Sequence, residues 1–238
     1  MKVIVLSTTK YKENDVIYNA ISETESVSFK GYRAFDSKSS MMWLNNPLTI
    51  ADIEFADRRY KYPTLKEAKL LSSPLTGDES LEYLYSVSSI IEITNNVLQE
   101  SERHLLFKDI EDALEALNKG VDYQLVILLF LARAISFAGA ELEVDHCVFC
   151  DKTSDIVTFS FPDGGFVCRK HAEEQEITSH LTPNQMKLIR YIFKAPNYSG
   201  VGSDKYSKED RIIVLRSLKE YVQDDLGVYV NSIDQIAK

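Results

Sequence analysis

Four residues in one short window have the chemistry and the spacing of metal ligands. Cys147 and Cys150 enclose two residues, Cys168 and His171 enclose two more, and seventeen residues separate the pairs. All three cysteines of the chain fall in this window. A tetrahedral ion needs two close ligand pairs on two tight turns, and thiolate and imidazole ligands at this spacing are typical of a structural zinc site. The sequence therefore predicts one zinc ion held by Cys147, Cys150, Cys168 and His171.

Other interpretations of these residues fit less well. Clustering at ligand spacing disfavours three ordinary buried cysteines, and the lack of a signal-peptide pattern predicts a reducing cytoplasm in which disulfides are rare. A catalytic zinc keeps its fourth position open, whereas this set already has four members. His171 and Glu173 form the H-x-E of zinc deaminases, but in those enzymes the C-x-x-C follows that motif. His146, adjacent to Cys147, stays as a competing ligand.

The composition is that of a folded protein with an uneven charge. The chain has 238 residues, 45% of them hydrophobic, and a net charge of -9. Residues 1–70 carry a net charge of +2 and residues 71–238 a net charge of -11. A neutral-to-basic lobe joined to an acidic one can bind phosphate on one face. The most apolar run, residues 121–140, contains Asp122 and Arg133 and predicts a buried helix rather than a membrane span.

Two regions with different hydrophobic periods divide the chain. Five short alternating runs within residues 1–71, separated by turn residues, predict a small β-barrel. After Pro74 the apolar spacing becomes helical. Helices are predicted for Asp78–Leu98, His104–Asn118, Val121–Ala138, Thr182–Phe193 and from Ser207 to Gly227, with Asp78, Thr182 and Ser207 as candidate caps. The predicted fold class is α+β: a five-stranded barrel domain (residues 1–76), then a helical domain (residues 77–238) that contains a zinc-binding segment (residues 144–175).

Motifs spread along most of the chain resemble the bacterial recombination mediator family RecO. Each motif alone is weakly specific, but together they occur in the order and at the spacing of that family. They are Val5–Thr8 with Tyr11–Asp15, Lys30–Arg33 with Lys38 and Ser39, Pro63–Ala68, Phe130–Gly139, and the knuckles Cys147–Cys150, Gly164–Cys168 and His171. The chain departs from the family in a basic loop with fewer Arg and Lys, and in His171, where many members have Cys.

The resemblance implies a fold and a function. It implies an OB-fold N-terminal domain, a helical C-terminal domain with zinc, and no catalytic turnover. It implies binding of single- and double-stranded DNA and annealing of complementary strands in the nucleoid. It also implies partnership with RecR and with single-strand DNA-binding protein, through which RecA is loaded during recombinational repair.

An OB barrel binds single strands through a positive groove and stacking aromatic rings. The candidate stacking rings are Tyr11, Tyr32, Phe35, Trp43 and Tyr60, although Trp43 and some tyrosines can equally belong to the core. The candidate DNA-binding cations are Lys10, Lys12, Lys30, Arg33, Lys38, Arg58 and Arg59, which can equally be ordinary surface charges.

Arg133 lies inside an apolar helix, where an unpaired charge is costly. It either pairs with a carboxylate or lines a groove, where it can bind the acidic tail of single-strand DNA-binding protein. An alternative function is a zinc-stabilised protein–protein adaptor that does not bind DNA. Hydrolase motifs such as HExxH, a P-loop or G-x-S-x-G are missing from the sequence.

Overall fold

The N-terminal region is a closed five-stranded barrel. In this computed structural model, residues 1–36, 39–57, 62–74, 80–198 and 205–238 are described. The barrel strands are β1 (Lys2–Tyr11), β2 (Asp15–Ile21), β3 (Ser26–Gly31), β4 (Ile50–Asp57) and β5 (Thr64–Ser72). They close in the order β1-β2-β3-β5-β4, with β3 and β5 parallel and the other pairs antiparallel. The predicted OB-fold barrel is confirmed.

The first half of strand β1, Val3–Leu6, is apolar without interruption. Successive side chains of a strand point to opposite faces. Val3 and Val5 lie in the barrel interior, while Ile4 and Leu6 belong to the core shared with the helices. Because both faces of this strand are covered, both carry aliphatic residues.

Seven helices follow the barrel in the described part of the chain. A 3-10 turn, Arg103–Leu106, precedes the second of them. They are α1 (Leu81–Val97), α2 (Phe107–Asn118), α3 (Tyr123–Phe137), α4 (Arg169–Glu174), α5 (Pro183–Lys194), α6 (Lys208–Leu226) and α7 (Ile233–Ile236). None of the described helices is long and apolar enough to cross a membrane.

Helix α3 forms the centre of the helical lobe (residues 80–238). Nearly every side chain from Gln124 to Ile135 is buried, because α1, α2, α5 and α6 surround it. The predicted buried helix is therefore confirmed. Its N-cap, Asp122, accepts from the backbone N–H of Leu125 and pairs with the buried Arg211 at 3.2 Å.

The helix starts follow the predicted caps with one correction. Thr182 and Gln185 form a capping box at α5, and Ser207 caps α6, which ends at Gly227 in the left-handed conformation. Helix α1 begins after Ser80, whose side chain accepts from the backbone N–H of Tyr83, whereas the predicted cap was Asp78. Both residue types favour this position, so the sequence does not separate them. Asp78 and the predicted domain boundary at residue 76 lie outside the described residues.

The metal segment (residues 144–175) contains a two-stranded sheet that sequence analysis did not predict. Strand β6 (Ile156–Ser160) pairs with β7 (Gly165–Cys168) in an antiparallel hairpin. Phe159 and Phe166, on this hairpin, are buried in the core of the helical lobe with an edge-to-face ring contact. The hairpin therefore fixes the metal segment to the lobe.

Candidate metal centre and nucleic-acid interface

The first ligand pair lies on a tight turn. The carbonyl oxygen of Cys147 accepts from the backbone N–H groups of Cys150 and Asp151, and the N–H of Cys147 donates to Lys152. Asp151 has a φ of 55°, which closes the turn. These bonds direct both thiols toward the same point.

The second ligand pair lies where β7 passes into α4. Cys168 is the N-cap residue of α4, and His171 falls in its first turn. At the start of β7, the backbone of Gly165 runs against that of Glu143. The N–H of Glu143 donates to Gly164 and the N–H of Phe166 donates to Glu143. A Cβ on Gly165 would lie 2.9 Å from the backbone nitrogen of Glu143 and closer still to its carbonyl oxygen. Only glycine permits this approach, which brings the two turns together.

The four donor atoms have the separations of a coordination tetrahedron. Sγ of Cys150 lies 3.8 Å from Sγ of Cys168, and Nδ1 of His171 lies 3.6 Å from Sγ of Cys147 and 3.4 Å from Sγ of Cys168. All four ligand atoms lie within 4.8 Å of one another. Zn–S bonds of about 2.3 Å and Zn–N bonds of about 2.0–2.1 Å give tetrahedral edges of about 3.8 and 3.6 Å. The cluster can hold one metal ion.

The surroundings of Cys147 favour its thiolate form. Cys147 and Cys168 are buried, His171 is mostly buried and Cys150 is exposed. Burial disfavours ionisation of the Cys147 thiol, but backbone N–H groups of Cys168 and Phe149 donate to its sulfur and lower its pKa to about 6. The thiolate is the form that binds metal.

His146 lies outside the four-ligand cluster. Its Nε2 is 3.3 Å from Glu143 and its Nδ1 is 3.6 Å from Asp151. Its neighbour Asp145 faces α5 instead, where it accepts from Arg190 at 2.8 Å and Lys194 at 2.6 Å. These contacts connect the first knuckle to the helical lobe.

On the barrel, the candidate DNA-binding cations of residues 10–33 lie at one end of strands β1 to β3. Lys10 ends β1 next to Tyr11, Lys12 lies in the β1–β2 turn and Arg33 in the turn after β3, and all three are exposed. Tyr11 is 45% exposed, Tyr32 57% and Phe35 42%. Three cations and three aromatic rings thus share one exposed end of the barrel.

Lys30 differs from these cations because its ammonium is already paired with a carboxylate of the protein. Its ammonium lies 3.2 Å from the carboxylate of Asp15, and it stacks over the rings of Tyr32 (4.2 Å) and Tyr11 (4.8 Å). The N–H of Arg33 also donates to Asp15, and with Lys30 it holds the pKa of that carboxyl below its ordinary range. Lys30 therefore positions the two tyrosines. Sequence analysis named Asp15 only as the end of the motif Tyr11–Asp15 and did not predict its ion pair with Lys30.

The other barrel candidates are placed differently. Lys38, Arg58, Arg59 and Tyr60 lie outside the described residues. Trp43 is half-buried against the barrel core and its ring nitrogen donates to the carbonyl of Ser40. Among the described residues, the candidates for DNA binding are thus those at the end of the barrel that carries Tyr11 and Tyr32.

Arg133 is engaged inside the helical lobe. Its guanidinium lies 3.7 Å from the carboxylate of Asp109 and donates to the carbonyl of Ala195 at the end of α5, while 30% of its side chain stays exposed. Tyr198 donates to the same carboxylate at 3.0 Å. Burial raises the pKa of Asp109, and the Tyr198 hydroxyl and the Arg133 charge oppose that shift.

Comparisons with known proteins agree with the barrel, the helical lobe and the Cys–His cluster. A family model described as "Recombination protein O C terminal" matches residues 78–233, more than half of the chain. The chain is similar to "DNA repair protein RecO" of Bacillus cereus (strain AH187), with 25% identity over 233 residues that cover 96% of this chain and 92% of the relative. The protein of the same description from Bacillus cytotoxicus is 24% identical over 231 residues, with the same coverage. The chain therefore belongs to the RecO family of recombination proteins.

Proposed function

We propose that this protein acts in DNA repair as a non-catalytic mediator of homologous recombination. In this role it binds single- and double-stranded DNA, anneals complementary strands and, with RecR, helps to load RecA onto DNA covered by single-strand DNA-binding protein. The names of its relatives support the repair role. DNA binding is inferred from the surface of the barrel, whereas annealing, partnership with RecR and RecA loading are what membership of the family implies.

The exposed end of the barrel is the observation that carries this proposal. Tyr11, Tyr32 and Phe35 offer rings on which bases can stack without regard to sequence, and each stacked base contributes about 1–3 kcal/mol. Lys10, Lys12 and Arg33 offer positive charge for phosphates. A five-stranded barrel with the strand order 1-2-3-5-4 and a parallel β3–β5 contact is the type of barrel that carries oligonucleotide-binding surfaces.

The metal in this proposal is a structural Zn²⁺. Cys147, Cys150, Cys168 and His171 would hold it through three sulfurs and Nδ1, and a shell closed by four protein ligands leaves no position for substrate. The ion supplies folding free energy to a segment whose regular structure is a short hairpin and the six-residue helix α4.

Partner binding is assigned to the helical lobe. The exposed part of Arg133 is the proposed contact for the acidic tail of single-strand DNA-binding protein, since a guanidinium pairs readily with carboxylates. Its existing contacts with Asp109 and Ala195 mean that this role competes with a structural one.

A protein–protein adaptor without DNA binding is the second candidate function. The neutralisation of Lys30 by Asp15 and the net charge of -9 favour it, because both reduce attraction to phosphate.

A salt titration of single-strand affinity separates the two functions. Fluorescence anisotropy with a labelled oligothymidylate should show affinity that falls steeply with salt, and Tyr11→Ala with Tyr32→Ala should weaken binding at least about tenfold, since each stacked base contributes about 1–3 kcal/mol. Tyr229→Ala is the matched control, because Tyr229 is 59% exposed but lies on the helical lobe. Absence of salt-dependent binding by the wild type would favour the adaptor.

A further inference from the structure

A second basic surface lies on the helical lobe and contains none of the candidate residues of the barrel. A cleft of about 480 Å³ opens between α5 and the residues that precede α6. Four cations and two tyrosines line it: Lys187, Arg190, Lys194, Lys205, Tyr191 and Tyr206. We call it the α5 cleft.

The sequence of α5 explains the charge of the cleft. Residues such as Leu188, Ile189 and Ile192 are buried in the lobe, so residues 187, 190 and 194 share the outer face. Helix α5 contains no Asp or Glu, although residues 71–238 carry a net charge of -11. Positive charge is thus concentrated on one face of an otherwise acidic lobe.

Two of the cations are held and two are available. Asp145 pairs with both Arg190 and Lys194, and Arg190 also donates to the carbonyl of Val144. Lys187 and Lys205 are exposed, and neither pairs with a carboxylate among the residues that the structure describes. The ammonium of Lys205 lies 5.5 and 5.8 Å from the ring centres of Tyr206 and Tyr191. Asp145 is the one carboxylate paired with these cations among the described residues, and Glu141 and Glu143 also act on Lys194, so the surplus of positive charge lies at Lys187 and Lys205.

We propose that the α5 cleft binds the phosphodiester backbone of a nucleic-acid strand, separately from the barrel. Lys187 and Lys194 are seven residues apart, which spans about 10 Å of helix, the length of about three nucleotides at roughly 3.4 Å rise each. Among the described lining residues only Ala195 and Pro196 are aliphatic. The cleft thus has few aliphatic side chains to hold the apolar residues of a peptide, but it offers cations and tyrosine rings to a strand.

Two strand sites on one chain have a consequence for annealing. Complementary strands repel each other, and a protein that neutralises both of them lowers the barrier to their encounter. The barrel holds one strand in the proposed function, and the α5 cleft holds the second. The inference goes beyond that function, because strand binding by the cleft requires nothing of the barrel.

The stoichiometry of strand binding tests the proposal. Oligothymidylates of about six nucleotides, near the lower end of OB-fold site sizes, are too short to span distant sites. Sedimentation of the full-length protein should show two bound per chain for the wild type and one for the double variant Lys187→Glu with Lys205→Glu. The same variant should lower the magnitude of the salt slope by about 1.4, at roughly 0.7 per lost single-strand contact, and should slow annealing about tenfold.

Controls keep the cleft and the barrel distinguishable. Lys108→Glu with Lys238→Glu makes the same charge change outside the cleft lining and should keep two strands bound. Tyr11→Ala with Tyr32→Ala should remove only the DNA strand bound at the barrel. If that strand stays bound, the proposed barrel site is wrong, but the proposed cleft site is unaffected. The cleft variant must first show the melting temperature and metal content of the wild type. If it then binds as many strands per chain as the wild type, the proposal is overturned. The proposal is also overturned if the cleft variant loses binding of an acidic peptide but keeps strand binding, or if the wild type binds no strand.

Discussion

Replacement of Gly165 by alanine tests how the metal segment is built. The new Cβ would meet the backbone of Glu143, which cannot move aside as a flexible side chain can. Overpacking of this kind costs about 1–3 kcal/mol, and the two backbone hydrogen bonds between Glu143 and its neighbours add about 1 kcal/mol each. We expect a total loss of about 3–5 kcal/mol.

The adjacent glycine provides the matched control. Gly164 has a φ of +79°, and a Cβ there would meet no atom within 4 Å. Gly164→Ala should therefore cost only the left-handed backbone strain of about 1–2 kcal/mol. Differential scanning calorimetry should show the difference, because each kcal/mol lowers the melting temperature of a protein of this size by about 2–4 °C.

The metal content of both variants completes the test. We expect Gly165→Ala to bind metal more weakly in a competition titration with a chelator, because the two ligand turns no longer meet at the same distance. Gly164→Ala should bind it as the wild type does. If Gly165→Ala melts no lower than Gly164→Ala, the close backbone approach does not hold the segment together.

Three further changes probe the ligand set and the two ion pairs. Purified protein should contain about one zinc per chain by elemental analysis. Cys147→Ser should reduce the zinc content below about 0.1 per chain, because structural zinc sites require the full ligand set. An unchanged zinc content would remove Cys147 from the ligand set. Asp15 has a folded pKa below its ordinary 3.8, so its stabilisation is present above that pH and is lost as the pH falls through the folded value. Asp15→Asn should thus lower the melting temperature at pH 7 and reduce the further loss on acidification below pH 4; a wild-type acid profile would contradict this. Arg133→Ala should destabilise the protein by about 1–3 kcal/mol, because it leaves Asp109 without its cation. It should also weaken binding of the acidic tail in a peptide titration without changing DNA affinity. Normal peptide binding by the folded variant would place the tail elsewhere.

Several elements could be predicted because their local signals agree with their surroundings. The Thr182-Pro183 start of α5 and the Gly227 end of α6 are backbone signals that act within one turn, and they occur where expected. The metal ligands were recognisable for the same reason, since each pair lies within four residues. Uninterrupted apolar residues in α3 predicted a helix surrounded by others, which the lobe contains.

The missed features depend on residues far apart in the chain. Nothing near Gly165 in the sequence indicates that Glu143 will lie against it. The ion pair of Asp15 and Lys30 joins neighbouring strands, and its existence depends on their register. The α5 cleft needs Lys205, which follows the helix by eleven residues and returns to it only in the folded lobe.

The core shared by the barrel and the helices limits how this protein can be divided. Five barrel residues, Ile4, Leu6, Ile21, Leu48 and Ile50, belong to the same apolar cluster as α1, α2 and α3. Exposing five such side chains costs about 7–15 kcal/mol at roughly 1.5–3 kcal/mol each, which is comparable to the whole stability of a typical domain. A fragment ending near residue 76 would therefore aggregate rather than serve as a minimal DNA-binding module. By the same reasoning the barrel cannot swing as a hinged arm, so the exposed end of the barrel and the α5 cleft keep a fixed separation.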